Sequence, residues 1–427
     1  MAKREKKTFS DRVRYKHRYV GKTFMLFVLT AFQWISFLPV IFSKEVDGFK
    51  VALLLCFYVS FEWMYVIIMH FAVKKTNFEL EFIAFFLSGI GLCFIASVHG
   101  SKDMLKQMIT VIIGVFLYDF LLWFIKDVKR VMAVRKYAGF LTLAFFGACF
   151  VYIKYIAKTP VNGSYNWLYI GPLSFQPSEL VKIAFVFVGA ATLDKLLTSK
   201  NIYLYILFSM GCIGVLFLMK DFGTALIYFF TFIVIAFMRS GDLRSITFIC
   251  AGALIGAVLI FYFLPHVTAR FETYRHIWDD PLGKGWQQTS VLMYTVSGGL
   301  RGLGVGNGKL RDVYAPTSDL VFGMICEEMG IILGFVIVIS FAFILVYAIR
   351  CVKNAPSSFY SISACAAAAM ILFQTTLNIF GITDLLPLTG VTLPFISKGG
   401  SSVMCCWALF AFIKAADIRA YPKMYKT

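Results

Sequence analysis

The stretch Gly390-Val391-Thr392-Leu393-Pro394-Phe395-Ile396-Ser397-Lys398-Gly399-Gly400-Ser401-Ser402 interrupts what is otherwise hydrophobic membrane sequence. Non-helical backbone at bilayer depth is tolerated only where it is buried in protein or lines a watery cavity. A proline, paired glycines and several hydroxyls within one short stretch therefore mark a site. Phe175-Gln176-Pro177-Ser178-Glu179 opens another apolar span and marks a second such place. Two interrupted entries, far apart in sequence, can line one cavity.

Working outward, composition fixes the class. The chain is 59% hydrophobic and 15% charged, and apolar stretches of membrane length recur throughout. A helix of ~20 residues crosses a hydrocarbon core of ~30 Å. The expected fold is an all-α integral membrane protein, a bundle of about twelve spans with one large extracytoplasmic loop. The spans fall near residues 23–43, 51–72, 79–98, 104–125, 137–157, 179–196, 202–219, 222–239, 244–264, 319–349, 359–382 and 400–417. The first is too long for a signal peptide and lacks a small-residue cleavage site.

The net charge of +18 is concentrated. Cations cluster in residues 1–22, at Lys74-Lys75, from Lys126 to Lys136, at Lys195 and Lys200, at Arg239 and Arg244, at Arg350 and Lys353, and from Lys414 to Lys426. With twelve spans and a cytoplasmic N-terminus, every cluster lies inside, as the positive-inside rule requires. Both termini are then cytoplasmic. No soluble basic domain exists, so nucleic acid is not the expected partner. The ten cysteines sit mostly alone in apolar spans, without the CxxC or Cys/His spacing of zinc sites, and read as packing residues.

The same topology exports residues 155–178, 265–318 and 381–395. The middle loop carries Arg270, Arg275, Lys284, Arg301, Lys309 and Arg311, against the charge rule. Exported cations suit an anionic ligand at the outer face; the bland reading is a solvated loop with incidental charge. The glycine-rich run Ser297 to Gly308 permits close backbone approach to a ligand, or is a flexible linker. It lacks the lysine and hydroxyl of a phosphate-binding loop.

Ionisable groups in or at spans are costly and default to functional hypotheses. They are Glu62, Asp119, Glu179, Lys182, Asp221, Asp319, Glu327, Glu328 and Lys398. Glu179 and Lys182 share a helix face and can simply pair. Glu62 and Asp119 lie away from the exported segments and suit buried hydrogen bonding. Asp319 stands at the outer boundary beside the basic loop, where a carboxylate can meet a water-soluble hydroxyl.

Gln176-Pro177-Ser178-Glu179 with Lys182, Asp221-Phe222-Gly223-Thr224, Asp280-Pro281-Leu282-Gly283, Ser297 to Gly304, Ser318-Asp319-Leu320-Val321-Phe322 with Glu327-Glu328-Met329-Gly330, and Gly390 to Ser402 occur in that order. Together they resemble the SEDS family of shape, elongation, division and sporulation proteins, over residues 79–417. The resemblance implies ten family spans, with residues 23–78 an added pair behind a basic segment, residues 1–22, and a basic tail at 418–427. It implies a peptidoglycan glycosyltransferase of the bacterial cytoplasmic membrane that polymerises lipid II at the outer face. The family's essential aspartate matches Asp319. Its loop arginine matches Arg270 and its tryptophan Trp167, while Glu179, Lys182, Ser397, Lys398 and Ser401 fall at cavity-lining positions. A class B penicillin-binding protein is the implied partner, among other division, elongation or sporulation membrane proteins.

Three departures stand out. Lys220 replaces a proline, Thr317-Ser318 stands where a His-Thr pair is usual, and Lys398 replaces a tyrosine. Lys398 suits a diphosphate or a pairing with Glu179. In the implied reaction an acceptor 4-hydroxyl attacks C1 of a donor sugar and expels a lipid diphosphate. Asp319 can take the proton, an effect worth ~10²–10⁴ in rate. Arg270, Arg275 or Lys398 can meet the diphosphate, alone or with a divalent cation, magnesium or manganese. The sequence requires no other cofactor. Two other readings remain open: a lipid II flippase whose path Glu179, Lys182 and Lys398 would line, and a catalytically inactive transpeptidase scaffold.

Overall fold

The computed structural model describes residues 9–75, 77–160, 163–170, 173–193, 199–241 and 274–417, with positions 244, 247 and 251 between the last two. The expected span at 244–264 and Arg270 lie outside the described residues. The described helices are α1 (Phe9–Ile41), α2 (Gly48–Phe71), α3 (Glu79–Ile125), α4 (Val128–Val151), α5 (Pro177–Leu193), α6 (Ser199–Leu218), α7 (Phe222–Ser240), α8 (Trp286–Ser297), α9 (Val321–Met329), α10 (Ile331–Lys353), α11 (Ser358–Ile382) and α12 (Gly400–Ala415). Among the described residues, seven of these are long and apolar enough to cross a membrane.

One of the seven, α3, counts twice. Its 47 residues would extend ~70 Å if straight, far beyond a ~30 Å core. At Gly100 the backbone takes φ 77°, ψ −174°, and the helix turns back. The proof is a contact: the hydroxyl of Tyr118 meets the carboxylate of Glu81, across thirty-seven residues. Positive φ is inexpensive for glycine, which makes Gly100 the hinge of this helical hairpin.

α12 is the axis of the bundle. Every described side chain from Cys405 to Ala415 is buried. Trp407, fully buried, meets the rings of Phe85, Tyr118 and Phe395 at 5.0, 6.0 and 5.9 Å. Close approach depends on glycine: a Cβ on Gly114 would lie 3.0 Å from Trp407, and one on Gly91 would lie 2.2 Å from the Ile396 carbonyl oxygen. Helix starts are capped as the sequence allows. Asp47 accepts from the Lys50 amide, Asp127 from Lys129, and Asp221 from Thr224.

At the basic end, Lys75 and Lys414, which the charge rule places inside, are fully buried around Glu81. The Lys414 ammonium lies 3.0 Å from Glu81 and 2.7 Å from the Asn77 carbonyl oxygen. Asp119 accepts from Tyr65 at 3.2 Å, and Glu62 accepts from Gln33 of α1 at 2.8 Å. Glu62 thus has the buried hydrogen-bonding role its isolation suggested, and Asp119 a half-buried one.

The glycine-rich run is not a loose linker. It folds over the end of α9, where Glu327 accepts from the amides of Lys309 and Leu310, and Glu328 from that of Gly306. Gly302 has φ 83°, and a Cβ there would lie 2.3 Å from the Glu328 carbonyl oxygen. These carboxylates pin the loop.

Candidate active site

The turn carrying Asp319 lies between the long loop and α9, and the interrupted stretch at 390–402 straps it down. Ser397, 1% exposed, donates its hydroxyl to the Ser318 carbonyl at 2.6 Å and accepts from the Leu393 amide at 2.7 Å. The Lys398 amide donates to the Thr317 carbonyl at 2.8 Å. Asn378 of α11 donates to the carbonyls of both Asp319 and Val391, at 2.9 and 2.7 Å. A Cβ built on Gly390, whose φ is 70°, would lie 3.5 Å from the Asp319 carboxylate. The half-buried carboxylate therefore lies against the backbone of the interrupted stretch.

A third wall comes from the outer turn of α3. His99 lies 2.9 Å from the Thr317 hydroxyl, two residues ahead of Asp319. Asp103 pairs with Lys398 at 2.7 Å and with Lys106 at 3.1 Å. Gln107 donates to the Ser397 carbonyl at 3.2 Å and accepts from the Gly399 amide at 3.3 Å. Lys398 thus pairs with Asp103, not with Glu179. The sequence reading missed His99, Asp103 and Gln107. Their signal was the polar break Val98-His99-Gly100-Ser101-Lys102-Asp103, which span parity puts on the side of the exported loops.

The second interrupted entry meets the first. The Gln176 amide donates to Ser401 at 3.3 Å, and a short hairpin of β1 (Leu168–Ile170) and β2 (Leu173–Phe175) leads into α5. Gln176 and Asn166 both donate to Asp221 at 3.0 Å. Glu179 and Lys182 are sealed inside, paired at 2.7 Å, with Lys182 also donating to Gln374 at 2.7 Å. Gln374 in turn donates to the Thr392 carbonyl at 2.9 Å, so the pair reaches the interrupted stretch through one side chain. Trp167 is half-buried beside this hairpin, and Arg275 is exposed on the long loop. Next to Arg275, Tyr274 donates to the Leu385 carbonyl at 2.8 Å. The structure therefore brings together Asp319, Ser397 and Lys398, joins Ser401, Glu179 and Lys182 through hydrogen bonds, and leaves Arg275 on the exposed loop.

Several buried polar atoms here have no hydrogen-bond partner within the chain: Asn166 Oδ1, Ser178 Oγ, Glu179 Oε2, Asn378 Oδ1 and Thr389 Oγ1. Such atoms are rare in folded proteins and concentrate where water or ligand is handled. Among the described residues, no group of three or more His, Cys, Asp or Glu converges to hold a metal ion.

Fold and site define a multi-pass helical membrane protein whose interrupted stretches converge on the carboxylate of Asp319. A model of the cell cycle protein family that spans FtsW, RodA and SpoVE matches residues 78–421, and the chain belongs to that family. It is 34% identical over 251 residues to stage V sporulation protein E of Bacillus subtilis, covering 57% of this chain and 68% of the relative. It is 30% identical to the probable peptidoglycan glycosyltransferase FtsW of Wigglesworthia glossinidia brevipalpis, over 64% of this chain and 74% of that one. The fold matches a chain from a peptidoglycan synthase complex that coordinates polymerization and crosslinking, with TM-score 0.66 and 21% identity over 82% of this chain and 99% of that one. Thermus thermophilus RodA matches with TM-score 0.59 and 21% identity, over 82% and 98%. Family membership places the chain in cell wall synthesis. α1 and α2 precede the matched region.

Proposed function

We propose that this protein is a peptidoglycan glycosyltransferase that polymerises lipid II at the outer face of the bacterial cytoplasmic membrane, with Asp319 as general base. The observation that carries the reading is the triple anchoring of the Asp319 turn by Ser397, the Lys398 amide and Asn378. A carboxylate held this closely at a polar outer site is preorganised for proton transfer, where positioning is worth much of the barrier. The acceptor oxygen forms a bond to C1 of the donor sugar while its proton passes to Asp319. The C1–oxygen bond to the diphosphate breaks, and the lipid diphosphate leaves with the electron pair. A single displacement inverts the α-linked donor to a β-linked glycan. Lys398, held by Asp103 at the mouth, and Arg275 are the described cations that meet the departing charge; Arg270 has the same assigned role from the sequence. The unpartnered polar atoms around Thr389 and Asn378 suit the hydroxyls of a sugar.

Asp319→Asn keeps the shape of the turn but removes the base. Polymer formation from lipid II in detergent falls at least ~10²-fold while the protein inserts and melts normally. Near-normal polymerisation by the folded variant would remove the carboxylate from the mechanism. The flippase reading loses its best support, because Glu179 and Lys182 are closed on each other rather than lining an open path. As partner we propose a class B penicillin-binding protein, supported by the synthase-complex origin of the matching fold. Mild crosslinking in native membranes recovers a transpeptidase with the wild-type chain; recovery of none counts against the pairing.

A further inference from the structure

Away from the outer site, α1 and α10 both rest on α3 but stand apart from each other, and a cavity of about 810 Å³ lies between them. That volume falls within the ~300–1,000 Å³ of ligand pockets. Its walls are apolar along their length, with Val28 and Phe32 of α1, Phe82 and Phe86 of α3, and Phe343 and Val346 of α10. Its polar end is basic. Lys22 lies on the α1 side, its ammonium 5.2 Å from the centre of the Phe78 ring, and Arg350 stands exposed in the last turn of α10. Glu79 is the single acidic lining residue, so the lining carries a net positive charge. The sequence just ahead of Lys22 adds eight Lys and Arg, Lys3 to Arg18, against Glu5 and Asp11.

We propose that this groove binds one anionic glycerophospholipid, with an acyl chain along the α1–α3–α10 walls and the phosphate between Lys22 and Arg350. The charge rule puts this end at the cytoplasmic leaflet, where anionic headgroups reside and basic pockets between helices capture them. Lys22 holds its ammonium over the Phe78 ring at the polar end of the groove, and a cation at the end of an apolar slot suits the headgroup level. An acyl chain fits an apolar slot that opens sideways to the bilayer better than a soluble metabolite does. A zwitterionic lipid would bring an ammonium or a choline into a field with two cations and one carboxylate. α1 precedes the family-matched region, so one wall of the groove belongs to this chain's added helices.

Native mass spectrometry of the full-length protein in detergent, titrated separately with phosphatidylglycerol, phosphatidylethanolamine and phosphatidylcholine, tests the proposal. One phosphatidylglycerol is retained at concentrations where the other two are not. Each cation near the surface is worth about five-fold, so Lys22→Gln with Arg350→Gln weakens retention about twenty-five-fold, and Lys22→Arg preserves it. Val28→Trp fills the groove and removes the lipid with both charges intact. Thermal unfolding confirms that each variant is folded, and polymerase activity is not part of the readout. Equal retention of the three lipids, or phosphatidylglycerol binding unchanged in the double variant or in Val28→Trp, overturns the site.

Discussion

Ser397→Ala removes one oxygen from the strap that holds Asp319, and the cost follows from its two hydrogen bonds. The Leu393 amide loses its acceptor at 2.7 Å in a place where Leu393 is 1% exposed. The Ser318 carbonyl loses its donor at 2.6 Å, at a half-buried position where water can partly replace it. An unsatisfied buried group costs ~1–3 kcal/mol. The first loss falls in the upper part of that range and the second in the lower, giving ~3–5 kcal/mol in all. Chemistry suffers separately. A displacement of ~1 Å in a reacting group costs ~10²-fold, and the Ser318 carbonyl is one peptide from Asp319. The expected result is kcat for glycan polymerisation down ~10–100-fold with KM changed little, since substrate contacts elsewhere persist. Gel-resolved polymer from fluorescent lipid II gives the rates, and unfolding by heat gives the stability. Ser361→Ala is the control, because its hydroxyl makes long bonds of 3.4 and 3.5 Å near the start of α11. A Ser397→Ala protein that melts and polymerises like wild type would show that the strap does not hold the site.

His99→Ala breaks the contact with Thr317 and lowers kcat/KM about five-fold, the worth of roughly 1 kcal/mol in one hydrogen bond. His99→Gln restores part of the rate, and an unchanged rate in both variants would detach the α3 turn from the site. Glu81→Gln leaves Lys75 and Lys414 buried without their carboxylate and destabilises by ~3–5 kcal/mol, read as loss of folded protein in membranes. Wild-type accumulation and melting would mean that the cluster is not closed to water. A reporter fused near Lys284 reads as exported, while fusions near Arg130 and at the C-terminus read as cytoplasmic. Export of Arg130 would invert the bundle.

Much of the site was legible because membrane sequence makes polar and irregular segments conspicuous. Pro394, Gly399-Gly400 and the hydroxyls of Ser397, Ser401 and Ser402 had no reason to sit in an apolar stretch unless they bounded something wet. Asp319 was legible from its place at the edge of a span. What the sequence could not show was pairing across long separations. Lys398 was visible as a new cation, but its partner Asp103 lies 295 residues away and reaches it only because α3 turns at Gly100. Lys75 and Lys414 read as inside-facing cations by the charge rule, which counts charges and cannot tell a solvated lysine from one closed around Glu81. The glycines of the exported loop invited a ligand because close backbone approach is their general meaning. The close partner is the chain itself, at Glu327 and Glu328.

The hairpin of α3 then explains how the departures near Asp319 hold together. Thr317 sits ahead of Asp319 without a histidine in the loop, yet an imidazole reaches it from α3 as His99. Lys398 introduces a cation into the cavity stretch, and α3 supplies its counter-charge as Asp103. The side chains come from one turn, and the same hairpin carries Gly91 against Ile396 and Gly89 against Gln33 of α1. The added helices therefore pack on the back of the element that walls the site. Motion of α1 and α2 relative to α3 would be felt at His99 and Asp103 before it reached Asp319. Deleting residues 1–71 should lower polymerisation through the α3 turn while leaving Ser397, Asn378 and Asp319 in place. A deletion that folds and polymerises at the wild-type rate would show that α3 holds its turn unaided.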